Sequence, residues 1–109
     1  MLNQSVLVGR IANNPIIDKE NNKAKITLKL AVPRSYKNVN GEYDTDIISC
    51  TLYDNIAQAT TEYCKKGDLI GIKGRTESRK IKPEEQIEYV TELIADKVTF
   101  LSNGDKQWY

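Results

Sequence analysis

Histidine is absent from the 109-residue chain, and with it go the usual general base, triad partner and imidazole metal ligand. Most hydrolase mechanisms are thereby excluded. Cysteine is scarce. Cys50 and Cys64 fall in segments that read as a strand and a helix, with no second pair to complete a zinc site, so both are expected as buried, reduced thiols. Long apolar runs are missing too: none approaches the roughly 18 residues of a membrane helix. Met1-Leu2-Asn3-Gln4 has neither the basic nor the apolar region of a signal peptide. A cytoplasmic location and no membrane partner are expected. Nor is there an excess of one charge. The 16 Lys and Arg stand against 15 Asp and Glu, for a net charge of +1. A nucleic-acid site would therefore have to rest on where the charges lie.

What is present is an ordinary globular composition, with 39% hydrophobic and 28% charged residues and no internal repeat or low-complexity stretch. The length suits one modest core and is too short for two. A single domain over residues 1–102 is expected, with a flexible, patternless tail over 103–109.

Residues 5–11 are rich in β-branched side chains and stop at Asn13-Asn14-Pro15, which reads as a strand and a turn. After the polar stretch 18–22, Ile26, Leu28, Leu30 and Val32 alternate with shorter or polar residues, the period of a strand with one buried face, which Pro33 is expected to close. Asn40-Gly41 supplies the positive φ values of a hairpin turn, implying a long polar arm. A third strand over 46–53 leads to Asp54 or Asn55 as helix N-cap. Ile56, Ala59, Thr60 and Tyr63 then recur at helical spacing, and Gly67 follows Lys65-Lys66 as a C-terminal stop whose cations suit the helix dipole. Residues 69–75 read as a fourth strand, whose Gly71 and Gly74 suggest a bulge or bend. After a charged loop over 80–86, residues 88–95 and 97–101 form a long last strand broken near Asp96. The expected fold is all-β with one helix: an OB-fold, a five-stranded Greek-key barrel with the helix between strands 3 and 4 and two long hairpin arms.

A protein that binds single-stranded nucleic acid needs cations that track phosphates and flat side chains on which bases stack. Both occur here in three places. Arg34-Ser35-Tyr36-Lys37 stands at the root of the first arm, Tyr53 ends the third strand, and Arg79-Lys80-Ile81-Lys82 enters the second arm. Taken singly, a strand-end tyrosine is more often a core or hairpin aromatic, and a basic cluster near Glu84, Glu85 and Glu88 is more often a solvated turn. Their coincidence at both arms of an OB-fold favours nucleic-acid binding. Asp44 with Asp46, or Glu84 with Glu85, are the acid pairs a divalent cation would need, but acids in polar loops are normally solvated. No nucleophile has a base beside it. No enzyme activity, cofactor or metal site is expected.

Met1-Leu2-Asn3-Gln4, Val6-Leu7-Val8-Gly9-Arg10, Leu30-Ala31-Val32, Tyr36-Lys37-Asn38, Asn40-Gly41-Glu42, Tyr63-Cys64-Lys65-Lys66-Gly67, Gly74-Arg75, Ser78-Arg79 and Tyr89-Val90-Thr91-Glu92 occur in one co-linear set. Over about residues 1–102 that set resembles the bacterial single-stranded DNA-binding proteins. The resemblance implies a homotetramer of OB-folds, with a dimer as the lesser assembly, that stacks bases on aromatics at a few positions. Two of those positions are Tyr36 and Tyr53. At two others, Ile47 and Ile81 stand where family members usually carry a ring, and Asp54-Asn55 replaces a frequent basic pair. Members commonly end in an acidic, Phe-terminated peptide. Here Gly104-Asp105-Lys106-Gln107-Trp108-Tyr109 stands instead, so recruitment of enzymes through such a tip is not expected.

The expected site is thus Tyr36 and Tyr53 for stacking, with Arg10, Lys29, Arg34, Lys37, Lys73, Arg75, Arg79, Lys80 and Lys82 for phosphates. Its expected partners are single-stranded DNA, further copies of the chain and replication or recombination proteins, in a protein from a mobile element, phage or competence system. The alternative is an OB-fold interaction module that modulates a replication protein and binds DNA weakly. The apolar first strand, pairing with its copy across a two-fold axis, is the expected contact between subunits.

Overall fold

A computed structural model describes residues 1–20, 23–81 and 88–102. The elements in chain order are β1 (Ser5–Ile11), β2 (Asp18–Glu20), β3 (Lys23–Lys37), β4 (Tyr43–Tyr53), α1 (Asp54–Tyr63), β5 (Leu69–Ile81) and β6 (Glu88–Ser102). They pair in the order β1-β5-β6-β4-β3-β2, and β1 also pairs with β3. The five long strands therefore close into a barrel, with β2 a short flap on β3, and α1 lies between the third and fourth barrel strands, β4 and β5. This is the expected OB-fold.

Two seams of closure are short. β1 meets β3 at Arg10–Ala31 and Ile11–Leu30. β4 and β6, the one parallel pairing among the described residues, meet at Cys50–Leu93 and Thr51–Ile94. Alternation turns Ile26, Leu28 and Leu30 of β3, Cys50 and Leu52 of β4, and Ile70 and Ile72 of β5 into a core that is almost wholly excluded from water. Ala57 of α1 is fully buried where the helix packs against β3, β4 and β6. Cys50 and Cys64 are buried and free, as expected, and burial pushes both thiols up to about 11, so they are neutral at ordinary pH. The turn after α1 is stapled to β1. Asp68 accepts from the Lys65 amide at 3.0 Å, the Ile11 amide donates to the Asp68 carbonyl, and the Gly67 amide donates to the Ile11 carbonyl. No helix among the described residues is long and apolar enough to cross a membrane.

Several boundaries differ from the sequence reading. Pro33 does not close β3. It sits opposite Thr45 on exposed backbone, where the ladder with β4 changes register, and there a missing N–H is tolerated. Residues 18–20, read as a polar connection, form β2 because their backbone completes a hairpin with Lys23, Ala24 and Lys25. Lys80 and Ile81, read as loop, still pair within β5, opposite Tyr89 and Glu88. The helix cap is Tyr53, without a side-chain cap bond, and Asp54 is the first helical residue. The helix ends at Tyr63, so Lys65 and Lys66 lie beyond its last turn and Gly67, at φ +97°, serves the following turn instead. Tyr63 is not on the buried helix face but exposed, its ring 6.1 Å from that of Phe100. The expected Gly74 bulge is present, with Asp96 as the extra residue of β6 that the sequence read as a break.

At this bulge β5 and β6 approach so closely that a Cβ on Gly74 would press on the backbone carbonyl of Ile94. Gly74→Ala is expected to lower stability by about 1 to 3 kcal/mol, the usual cost of overpacking. Urea unfolding measures it, and an unchanged midpoint would contradict the close approach.

Candidate nucleic-acid interface

Residues directly opposed in an antiparallel ladder share a face. Across β3 and β4 the pairs on the side away from the core are Lys25–Tyr53, Thr27–Thr51, Lys29–Ser49 and Ala31–Ile47, with Thr51 itself buried under the β6 seam, while their neighbours Ile26–Leu52 and Leu28–Cys50 point into the core. The barrel therefore presents a stripe with Tyr53 at one end, Ile47 at the other, and lysines and hydroxyls between. At about 3.3 Å per residue the stripe spans about 20 Å. Tyr53 is 37% exposed and Ile47 57%. Asn13 holds the middle of the stripe in place: its amide oxygen accepts from the Lys29 backbone N–H at 2.8 Å and its nitrogen donates to the Thr27 carbonyl.

The β3–β4 arm continues this surface. Its turn is fixed by the Asn38 side chain, which accepts from the amides of Asn40 and Glu42, and by Gly41 at φ +78°. Alternation along β4 keeps Tyr43 on the face of Ile47 and Tyr53, and the Lys37 ammonium lies 5.7 Å from the Tyr43 ring centre. Arg34 and Tyr36 gather instead around Asp46, whose position in the alternation is the opposite one. The Arg34 guanidinium donates from Nη2 at 2.8 Å and from Nε at 3.1 Å to Asp46, has Asp44 at 3.8 Å, and sits 6.0 Å from the ring of Tyr36, itself 62% exposed. The hydrogen bond and the charge of Arg34 hold the Asp46 carboxyl below the ordinary aspartate range. Chiefly through the same hydrogen bond, Asp46 holds the guanidinium above its usual value. Asp44 and Asp46, the acid pair weighed as a cation site, are thus engaged by an arginine.

On the β5–β6 arm, Arg75 is clamped between Glu77 and Asp96, and Arg79 donates to Glu92 at 2.8 Å. Lys80 lies opposite Tyr89 on the other face of this arm. Lys29, Lys37 and Lys80 have no ion-pair partner among the described residues. Arg10 pairs with Ala31 at the edge of the stripe and donates to the Gly67 carbonyl at 3.0 Å. Lys73 lies away from the stripe, between Val6 and Lys97 on the β1–β5–β6 face. Lys82 lies outside the described residues.

The sequence-derived residues thus divide. Tyr53, Lys29 and Lys37 share one face, Arg34 and Tyr36 occupy the other side of the first arm, and Arg75 and Arg79 are taken up by acids. Lys25 and Tyr43 were missed. Their signal was available in the pairing itself, since Lys25 falls opposite Tyr53, and Tyr43 opposite Lys37 once the Asn40-Gly41 turn is placed.

Two clefts flank the β4–β6 seam. One, of about 460 Å³, is lined by Ser5, Ile47, Ser49, Thr76, Thr91 and Leu93. The other, of about 380 Å³, has Tyr53, Asp54, Asn55, Arg75 and Asp96 around Ile94.

Residues 2–101 match the model of the single-strand binding protein family. The chain is similar to single-stranded DNA-binding protein B of Bacillus subtilis, at 42% identity over 93% of this chain and 91% of that one. It is likewise similar to single-stranded DNA-binding protein 1 of Lactococcus lactis, at 39% identity over 98% and 73%. A Staphylococcus epidermidis single-stranded DNA-binding protein is 38% identical over 97% and 81%.

The Arg34–Asp46 pair gives a pH expectation. Because the Asp46 pKa is lowered in the fold, the pair's contribution is present above the unfolded aspartate value and is lost as pH falls through the folded one. A carbon-detected NMR titration of the Asp46 carboxyl should give a low midpoint that rises in Arg34→Gln. A midpoint indifferent to that substitution would contradict the pairing.

Proposed function

The chain belongs to the single-strand binding protein family, and on that premise we propose that it binds single-stranded DNA without strong sequence preference and protects it during replication, recombination or repair. The observation that carries the reading is the outer stripe of β3–β4, where Tyr53 and the cations Lys25 and Lys29 share one exposed face. Bases stack on Tyr53 and Tyr36, and Lys37 and Lys80 hold phosphates beside Tyr43 and Tyr89. Tyr36 and Tyr53 sit on different sides of the first arm, so a strand that uses both bends around the arm's edge. Arg34, Arg75 and Arg79 contribute only as far as phosphates compete with Asp46, Glu77, Asp96 and Glu92. Arg10 and Lys73 serve as outlying phosphate contacts, and Lys82 extends the second arm's cations.

That neutralisation is also what favours the competing reading, a module that docks on a replication protein and touches DNA weakly. Tyrosine substitution separates the two. Under the leading reading, Tyr53→Ala and Tyr36→Ala each weaken oligo-dT binding by about 1 to 3 kcal/mol, with Tyr53, the less exposed ring, toward the lower end. Affinity falls steeply with added salt, because phosphate contacts release counterions. Salt-insensitive binding in a fluorescence titration would sink this reading.

The outer face of β1, β5 and β6 is a second surface. Val6 and Val8 are 68% and 50% exposed beside Gly71 and Leu101. Over residues 5–9, β1 uses only the edge that pairs with β5. Subunits join here, through β1 and its copy, into a homotetramer or dimer. Light scattering should report an assembly that Val6→Glu with Val8→Glu reduces to the monomer mass. A monomeric parent protein would contradict this.

A further inference from the structure

The cleft on the Tyr53 side of the β4–β6 seam has features a general coating surface does not need. Its floor is apolar, with Ile94 almost fully buried, and its rim carries Tyr53, Asp54, Asn55, Arg75 and Asp96. At about 380 Å³ it falls within the size range of small-molecule sites. Arg75 and Asp96 are spent on each other and on Glu77. The Asp54 carboxylate and the Asn55 amide have no hydrogen-bond partner among the described residues.

Asp54 is also the one described non-glycine residue at positive φ, +53°, a conformation that aspartate and asparagine tolerate better than other side chains. The chain turns there from β4 into α1 within one residue, so the acid and the amide follow the Tyr53 ring directly.

We propose that this cleft reads the edge of the base stacked on Tyr53, with the Asp54 carboxylate selecting guanine. The proposal rests on the reading that Tyr53 stacks bases. With Asp96 paired to Arg75, the Asp54 carboxylate is the charge left open at the rim; it repels phosphate, so what it accepts from is a neutral group that donates. Guanine presents two adjacent donors, N1–H and the N2 amino group, which match the two oxygens of a carboxylate as the forked donors of a guanidinium do. Thymine presents one N–H between two carbonyl oxygens, which face the carboxylate unfavourably. Adenine and cytosine each present one amino group beside an acceptor nitrogen. Unpaired bases of a single strand are open to this kind of edge readout. The preference acts at one position per subunit and biases a binding mode that is otherwise sequence-tolerant.

Good bidentate base contacts discriminate by about 5- to 150-fold, and an exposed rim takes the low end. In anisotropy titrations in lithium chloride, which suppresses guanine quadruplexes, the probes are oligo-dT, the same oligomer with every third thymidine replaced by deoxyguanosine, and that oligomer with deoxyinosine, which lacks the N2 amino group. The expected order is guanosine over inosine over thymidine, spanning about fivefold. Asp54→Gly, which suits the positive φ without a carboxylate, removes the differences, and Asp54→Asn, which keeps the shape, reduces them. Equal affinity for three tightly bound oligomers, or a guanine preference that survives Asp54→Gly, overturns the assignment and leaves single-strand binding standing. Binding to none of the three overturns single-strand binding and this assignment together.

Discussion

The two clefts that flank the barrel's seam depend on how briefly β4 and β6 touch. Two registered pairs, Cys50–Leu93 and Thr51–Ile94, close the parallel seam, and on either side the strands part. Parting exposes the core wall that becomes one cleft beside Ile47 and another beside Tyr53. A longer seam would bury these walls in hydrogen-bonded ladder, as β5 and β6 do along most of their length. Glycines allow close approach beside both short seams: Gly74 lets β5 ride over the Ile94 carbonyl of β6, and Gly9 lets β1 lie over the Ala31 carbonyl of β3.

Charge is distributed on the same frame with a division of labour. Among the described residues Lys29, Lys37 and Lys80 have no ion-pair partner, whereas three arginines that face the arms are each held by carboxylates. A forked guanidinium matches a carboxylate in geometry, and a flexible ammonium does not, so the pattern follows from side-chain shape. The near-neutral net charge of the chain therefore conceals a stripe and arms whose unpaired cations, among the described residues, include Lys29, Lys37 and Lys80. Exposed ion pairs of this kind contribute little to stability, and their main effect here is to set where the arginines sit.

The barrel was legible in the sequence because its signals are local and strong. The alternation of Ile26, Leu28, Leu30 and Val32, the Asn40-Gly41 turn and the bulge at Gly74 each dictate geometry within a few residues. Pro33, residues 18–20 and Lys80 were misread because hydrogen-bonded partners on other strands override local preference. Tyr36 and Tyr53 were legible as exposed rings through family resemblance, but their separation onto different faces follows from the cross-strand pairing that sets Tyr53 opposite Lys25, an odd position of β3, while Tyr36 is an even one and the two-residue register change between Pro33 and Lys37 preserves that alternation. No single segment carries that information. The carboxylate partners of Arg34 and Arg75 were hidden for the same reason: Asp46 and Asp96 are neighbours only across ladders.

Folding order gives the seam a further significance. The β3–β4 and β5–β6 hairpins join residues close in the chain and can form early, whereas Cys50 must find Leu93, and Ser5 must find Gly74, across the helix and tens of residues, so these long-range pairings carry the larger loop-closure entropy. Until the seam is made, β4 and β6 each present an unpaired edge, the kind of template on which strands from other chains add. The same brevity that leaves two clefts open in the finished barrel means that the β4 and β6 edges are covered by one short long-range contact.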